Sequence, residues 1–218
     1  MIVKSSYKRF SIIFAVIWIF LTLYPNPTTL SLSLYRVFDP PVNPSAVDNI
    51  LPELPNPSDP SSIEKYILAE FPYKHDWKVY NYPWYYPTTE EALQKGKGDC
   101  KTRFIVIASI FESLSIPYEL FASPSHIWIH YAGKRETEIE NQQVAMFQYD
   151  GKEFAIHLPQ RFNILRNLEN FWKAFFAPMP ILRQKLLLTG LGISVLLFNL
   201  PPPGGSLAPT PRGSKRRK

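Results

Sequence analysis

Two apolar runs near the ends of the chain constrain its architecture more than any other feature. "FSIIFAVIWIFLTLY" covers residues 10–24, "LLLTGLGISVLLFNL" covers residues 186–200, and neither contains a charged side chain. Each run is somewhat shorter than the roughly 20 apolar residues that usually span a bilayer. The two runs therefore divide the 218-residue chain into two apolar end segments and a middle segment.

The first run is interpreted as an uncleaved membrane anchor over residues 10–24, preceded by a basic segment, residues 1–9. A signal peptide is the alternative, but "YPNPTTLSLSL" offers no small-x-small cleavage site. The second run predicts a membrane helix over residues 181–200, because three prolines end it and little chain remains to bury it. Its alternative is a buried core helix, since two glycines lower its helix propensity.

Basic residues predict the orientation of these helices. Three Lys or Arg residues lie within the first twelve positions, and the tail "PRGSKRRK" carries five more. Positive flanks remain cytoplasmic, so both termini are expected in the cytoplasm and residues 25–180 outside it, although Arg183 and Lys185 oppose this orientation. Residues 201–218 are expected to be a disordered tail. Its charge suits membrane lipid, and without interleaved aromatic residues it does not indicate a nucleic-acid partner.

The middle of the chain divides into an arm and one domain. Residues 25–60 contain nine prolines and predict an extended linker or wrapping arm, and the domain is expected to cover residues 61–178. Capping-box patterns begin two predicted helices: Ser61 with Glu64, and Thr88 with Glu91. A third helix is predicted after Cys100 and a fourth over residues 161–176.

Alternating residues follow the third helix and predict β-strands. Gly133-Lys134 and Asp150-Gly151 are expected to form hairpin turns between them. Helices followed by an antiparallel sheet define an α+β domain. The predicted strands cover residues 118–122, 126–131, 135–141, 144–149 and 153–158.

Cys100 is the only cysteine, so an internal disulfide is excluded. A lone cysteine is usually a small buried residue, but this one follows a Gly-rich turn at a predicted helix N-terminus, with Asp99 expected to cap that turn. Unpaired N–H groups and the helix dipole favour a thiolate there. Such a thiolate could attack a carbonyl carbon, and the N–H of Cys100 could hold the resulting oxyanion. His126, at the start of a predicted strand, is the candidate base.

Three segments occur in an order that resembles the transglutaminase-like superfamily: "TTEEALQKGKGDC", "SIPYEL" and "HIWIHY". The resemblance covers residues 62–141 and implies a papain-like arrangement. In it, Cys100 is the nucleophile and His126 the general base and acid, with no cofactor and with a protein or peptide substrate. The resemblance also implies an aromatic oxyanion donor, either Trp84 or Trp77. One cysteine and scattered histidines do not have the spacing of a zinc site.

The residue that orients His126 is where the sequence departs from that superfamily, which usually has an Asp about fifteen residues downstream. A two-residue turn at Gly133-Lys134 would pair His126 with Asn141, whereas a three-residue turn would pair it with Glu140. Turn chemistry favours Asn141, and apolar patterning favours Glu140. Both are candidates, with Asn141 preferred.

The expected function is that of a membrane-anchored thiol enzyme acting on amide or peptide bonds. A Cys-His thioester mechanism would lead either to hydrolysis or to acyl transfer to an amine. The alternative, suggested by the missing Asp, is a catalytically inactive transglutaminase-like binding or scaffold module at the cell surface.

Overall fold

The computed structural model describes residues 2–124, 126–150, 153–156, 169 and 171–200, with the backbone alone for residues 2–7 and Phe154. The predicted tail and most of the helix predicted over residues 161–176 lie outside these residues. The described chain combines helices with a small antiparallel sheet, so the expected α+β class is confirmed. Its helices are α1 Ile2–Leu23, α2 Thr28–Phe38, α3 Pro60–Glu70, α4 Asp76–Val79, α5 Thr89–Lys95, α6 Cys100–Ser113 and α7 Ile181–Asn199.

The sheet contains four strands in the order β2-β1-β3-β4, and every neighbouring pair is antiparallel. Ser123 pairs with His126 across the β1–β2 hairpin, and Leu120 pairs with Tyr149. The hairpin predicted around Asp150 is confirmed as β3–β4, although Gly151 lies outside the described residues. The strands are β1 Glu119–Ser123, β2 His126–His130, β3 Phe147–Tyr149 and β4 Phe154–Ile156.

Helix α6 is the centre of the core. Its residues from Phe104 to Phe111 are all buried. One face of the sheet packs against it through Leu120, Ala122 and Ile129, while α3 and α5 cover other sides. Burying each large apolar side chain contributes about 1.5–3 kcal/mol. This packing fixes the N-terminus of α6, and hence Cys100, relative to the sheet.

Residues 25–60 do not form an extended linker. They contain α2 and two 3₁₀ turns, Pro44–Val47 and Leu51–Glu53. Val47 and Leu54 are buried in the core, and the N–H of Asn43 donates to the hydroxyl oxygens of Thr89 and Ser109 (3.1 Å each). The apolar residues between the prolines therefore wrap around the domain.

Two further local predictions are corrected. Asp59, not Ser61, caps α3 by accepting a hydrogen bond from the N–H of Ser61 (3.1 Å). Residues 135–141 form no strand, and β2 pairs instead with the strand that precedes it. By contrast, the capping box of Thr88 and Glu91 forms as predicted, and α5 ends at Gly96 in the left-handed region (φ 56°).

Helices α1 and α7 pack as an antiparallel hairpin that places small or polar residues inside. The Ser11 hydroxyl donates to the Ser194 carbonyl (2.6 Å), and the indole N–H of Trp18 donates to the Leu186 carbonyl (2.8 Å). Gly190 is buried against Trp18. Large apolar side chains point outward, among them Ile13, Val16, Leu188, Val195 and Leu196.

Among the described residues, one helix, Ile181–Asn199, is long and apolar enough to cross a membrane. Lys8–Leu23 passes the same test only when it is joined to Thr28–Phe38, and these two segments are bent by 72°. The described residues therefore contain one candidate membrane span, or two if the bent pair of helices is counted as a single span.

Candidate active site

Cys100 is the first residue of α6, and its side chain is half-buried. Asp99 caps the helix: one carboxylate oxygen accepts from the N–H of Lys101 (3.0 Å) and of Thr102 (3.5 Å). The expected capping role of Asp99 is therefore confirmed. The backbone N–H of Cys100 occupies the first helical position, where no carbonyl within the helix is available to it. Cys100 therefore supplies both a thiol and an N–H donor that has no partner within the helix.

Gly98 allows the chain to approach α6 closely. A Cβ at this position would fall 2.2 Å from the hydroxyl oxygen of Thr102. The backbone of Gly98 also accepts from the N–H of Lys74 (2.9 Å) and donates to the Pro72 carbonyl (3.3 Å). The turn before Cys100 is therefore held on both sides and has no room for a side chain.

A buried lysine links this turn to the neighbouring helix. Lys101 forms ion pairs with Asp99 and, at 3.0 Å, with Asp76 in α4. Burial alone would lower the pKa of Lys101, but the two carboxylates outweigh it and raise that pKa well above its usual range. Asp76 in turn accepts from the N–H of Tyr85 (2.8 Å). The cluster fixes the N-terminus of α6, and sequence reasoning did not identify it.

His126 is the first residue of β2 and connects Cys100 with Glu140. Its Nε2 lies 2.7 Å from a carboxylate oxygen of Glu140, and its ring stacks on Trp128 (centroids 5.8 Å apart). Burial opposes the charged imidazolium, but hydrogen bonds with Cys100 and Glu140 outweigh burial and raise the pKa of His126 to about 9. The structure thus brings Cys100, His126 and Glu140 together.

Glu140 is held by a second buried lysine. Lys134 contacts the other carboxylate oxygen of Glu140 (2.9 Å), a carboxylate oxygen of Glu64 (2.6 Å) and the Ile129 carbonyl (2.8 Å). Burial alone would raise the pKa of Glu140, but the hydrogen bonds from His126 and Lys134 lower it. Glu140 therefore faces His126 as a carboxylate. The sequence alone predicts only a turn position for Lys134 and a capping position for Glu64.

Asn141 does not take part in this arrangement. Its side-chain amide donates to the carbonyls of Thr137 (2.7 Å) and Glu138 (3.2 Å), which stabilises a local turn. The register argument that preferred Asn141 fails because it required a strand over residues 135–141. Of the two candidates, the structure brings Glu140 and not Asn141 to His126.

The two tryptophans considered as oxyanion donors differ in their surroundings. The indole N–H of Trp77 is engaged, since it donates to the Phe175 carbonyl (2.6 Å). Trp84 is half-buried beside the cysteine turn, with the ammonium of Lys101 6.0 Å from its ring centre. The N–H of Trp77 is thus engaged elsewhere, whereas Trp84 lies beside Lys101 at the N-terminus of α6.

No group of three or more His, Cys, Asp or Glu side chains suited to a metal ion occurs among the described residues. No family model, no curated protein and no solved structure matches this chain. What the fold and the site define is therefore an α+β chain with a half-buried cysteine at a helix N-terminus, grouped with a histidine and a glutamate.

Proposed function

We propose that this chain is a membrane-anchored thiol enzyme with a transglutaminase-like core that acts on amide or peptide bonds. The observation that carries the proposal is the convergence of Cys100, His126 and Glu140 at the N-terminus of α6. A nucleophile, a base in contact with it and a third group orienting the base are the parts that thioester chemistry requires.

The first half of the reaction forms a thioester. With the proton of the Cys100–His126 pair on His126, as its raised pKa favours, the sulfur attacks the carbonyl carbon of the amide as a thiolate. The resulting oxyanion accepts a hydrogen bond from the N–H of Cys100, with Trp84 as the neighbouring aromatic donor. As the C–N bond breaks, His126 returns its proton to the departing amine.

The second half releases the acyl group. Water or an amine gives a proton to His126 and attacks the thioester carbonyl, and the C–S bond then breaks. The products are a carboxylic acid or a new amide, and the proton remains on His126 beside the released sulfur. Throughout, Glu140 holds the imidazole ring and stabilises the imidazolium, while Lys134 and Glu64 hold Glu140.

Anchoring in a membrane is supported by the polarity of the α1–α7 hairpin. Small and polar residues face each other and large apolar residues face outward, which is the arrangement favoured in lipid. The antiparallel hairpin places the start of α1 and the end of α7 on one side, as expected for two basic termini in the cytoplasm and an active site outside. Arg183, which opposes that orientation by charge, donates to the Thr22 carbonyl (2.8 Å) and the Leu23 carbonyl (3.2 Å).

The test uses the fact that Cys100 is the only thiol. The full chain, in detergent, is treated with a thiol-directed peptide or amide probe, and labelling and turnover are measured. We expect one label per chain, and a loss of at least ten-fold in the labelling rate for His126→Ala. Turnover should vanish in Cys100→Ser. His130→Ala, a change at the other end of the same strand, is the matched control and should behave like the wild type.

The inactive binding module predicts a different outcome. It would give no turnover in the wild type, and Cys100 would label at the same slow rate with or without His126. That result would overturn the enzyme proposal. The 2.7 Å contact between His126 and Glu140 supports the enzyme, because it supplies the carboxylate whose absence from the usual position suggested inactivity.

A further inference from the structure

Helix α2 carries four of its six apolar residues on the outside, while Leu30 and Val37 are half-buried. Its buried positions are Thr29 and Ser33, and the Ser33 hydroxyl accepts a hydrogen bond from the N–H of Tyr86 (3.2 Å). Leu32, Leu34 and Tyr35 are 45%, 50% and 62% exposed. Surface helices of globular domains normally show the opposite polarity. The outward face of α2 is therefore suited to an apolar environment.

A second exposed apolar segment precedes α7. Phe171 and Trp172 are 59% and 58% exposed and stack on Phe175 and Phe176, and a π-helical turn spans Trp172–Phe176. Ile181, at the start of α7, is 66% exposed. Tryptophan, such as Trp172, is enriched where a membrane helix meets the headgroup region.

Both segments flank the same end of the α1–α7 hairpin. Helix α2 begins five residues after Leu23, and the π-helical turn ends five residues before Ile181. The contacts of Arg183 with the carbonyls of Thr22 and Leu23 place the end of α1 and the start of α7 side by side. We define the junction surface as Leu32, Leu34, Tyr35, Phe171, Trp172 and Ile181.

We propose that the junction surface lies in the interfacial layer of the bilayer and docks the catalytic domain on the membrane. The proposal rests on the membrane anchoring proposed above. Continuity with the α1–α7 hairpin selects a bilayer as the occupant, because under the proposed anchoring the chain segments that leave α1 and α7 are at the headgroup level. The polar inner face of α2 is satisfied by the domain: Arg36 donates to the Tyr86 carbonyl (2.8 Å) and pairs with Glu91 (3.0 Å).

The single native thiol makes the test direct. In a Cys100→Ser background, one new cysteine is introduced at Leu32, Tyr35 or Trp172 and carries a nitroxide label. The full chain is placed in phosphatidylcholine–phosphatidylglycerol vesicles, and collisions with oxygen and with a water-soluble nickel chelate are compared. Leu188→Cys, on the outer face of α7, serves as the lipid reference, and Glu112→Cys, exposed near the far end of α6, serves as the water reference.

We expect the labels at Leu32, Tyr35 and Trp172 to favour oxygen over the chelate, as Leu188 does and Glu112 does not. If these three labels collide with the chelate as often as the label at Glu112 does, while the label at Leu188 favours oxygen, the docking proposal is overturned and the proposed membrane anchor stands. If the label at Leu188 also collides with the chelate as often as the label at Glu112 does, the proposed membrane anchor itself is overturned. Dipolar broadening between labels on different chains, in place of oxygen contact, would assign the surface to a second copy and would also overturn the proposal.

A second measurement needs no engineered cysteine. Lipids brominated near the headgroup quench tryptophans that lie in the interfacial layer. Quenching of the wild-type chain is expected to fall in Trp172→Phe and to remain unchanged in Trp128→Phe, whose side chain is buried in the domain. Equal quenching in the wild type and in Trp172→Phe would contradict docking.

Discussion

The pKa of His126 reports on the arrangement of the candidate site at the level of single residues. Replacing Glu140 by Gln removes the negative charge that faces His126 at 2.7 Å, and is expected to lower the pKa of His126 from about 9 toward its ordinary value near 6.5. The measurement is an NMR titration of the histidine ring signals. Asn141→Ala is the control: it removes a local turn contact and should leave the pKa of His126 unchanged.

The same substitution changes how stability depends on pH. A raised pKa means that the folded chain binds this proton more tightly than the unfolded chain. The contribution of His126 is therefore fully present below about pH 6.5 and is lost as the pH rises to about 9. In Glu140→Gln the decline of the free energy of unfolding across this interval should be shallower. A decline as steep as that of the wild type would show that Glu140 does not hold the proton on His126.

The residues of the site were only partly predictable, because some of their contacts are local and others are not. Asp99 caps α6 through the N–H groups of Lys101 and Thr102, its near neighbours in sequence. Glu140, by contrast, is oriented through Lys134, which in turn contacts Glu64, 70 residues earlier in the chain. No pattern within a short window contains that information.

At the level of elements, Gly190 determines how closely α1 and α7 can pack. A Cβ at Gly190 would fall 1.9 Å from a ring carbon of Trp18, whereas a Cβ at Gly192 would meet no atom within 4 Å. Gly190→Ala should therefore displace the indole, break its hydrogen bond to the Leu186 carbonyl and destabilise the hairpin by about 1–3 kcal/mol. Gly192→Ala should be neutral or stabilising by up to about 1 kcal/mol, since alanine has the higher helix propensity.

Thermal unfolding of the full chain in detergent, followed by circular dichroism, compares the two variants. Adding Trp18→Ala to Gly190→Ala should recover part of the lost stability, because the smaller side chain leaves room for the new methyl group. Equal midpoints for the two glycine variants would contradict the packing of Gly190 against Trp18.

Secondary-structure elements form as the sequence predicts where residues close together in the sequence satisfy each other's hydrogen bonds. The capping box of Thr88 and Glu91 needs only a four-residue window, and it formed as predicted. The equivalent pattern at Ser61 did not form, because the carboxylate of Glu64 contacts Tyr131 and Lys134 instead. The alternation over residues 135–141 predicted a strand, but Ile139 finds no core to face and is 47% exposed. Alternation of apolar and polar residues indicates a strand only where a neighbouring strand offers a free edge and the apolar side chains can be buried.

At the scale of the whole molecule, the candidate site lies close to the proposed membrane surface. Tyr24, at the end of α1, stacks on Tyr82 and donates a hydrogen bond to the Trp84 carbonyl (3.1 Å). Trp84 in turn lies beside Lys101, the neighbour of Cys100. Contacts through Tyr24, Trp84 and Lys101 therefore connect the end of α1 with the turn that carries Cys100. The opposite end of α6 is about 18 Å farther along the helix axis at Glu112.

This arrangement predicts that Cys100 reacts preferentially with groups presented at the lipid surface. In vesicles, a maleimide attached to a phospholipid headgroup through a short linker is compared with a soluble maleimide. The ratio of the two rates should be at least ten-fold higher for Cys100 than for Glu112→Cys in the Cys100→Ser background, because the tethered probe is confined near the surface and has a high effective concentration there. Expressing each result as a ratio removes differences in intrinsic thiol reactivity. Equal ratios at the two positions would place the site away from the bilayer, and would direct the search for substrates toward soluble peptides rather than toward segments held at the membrane.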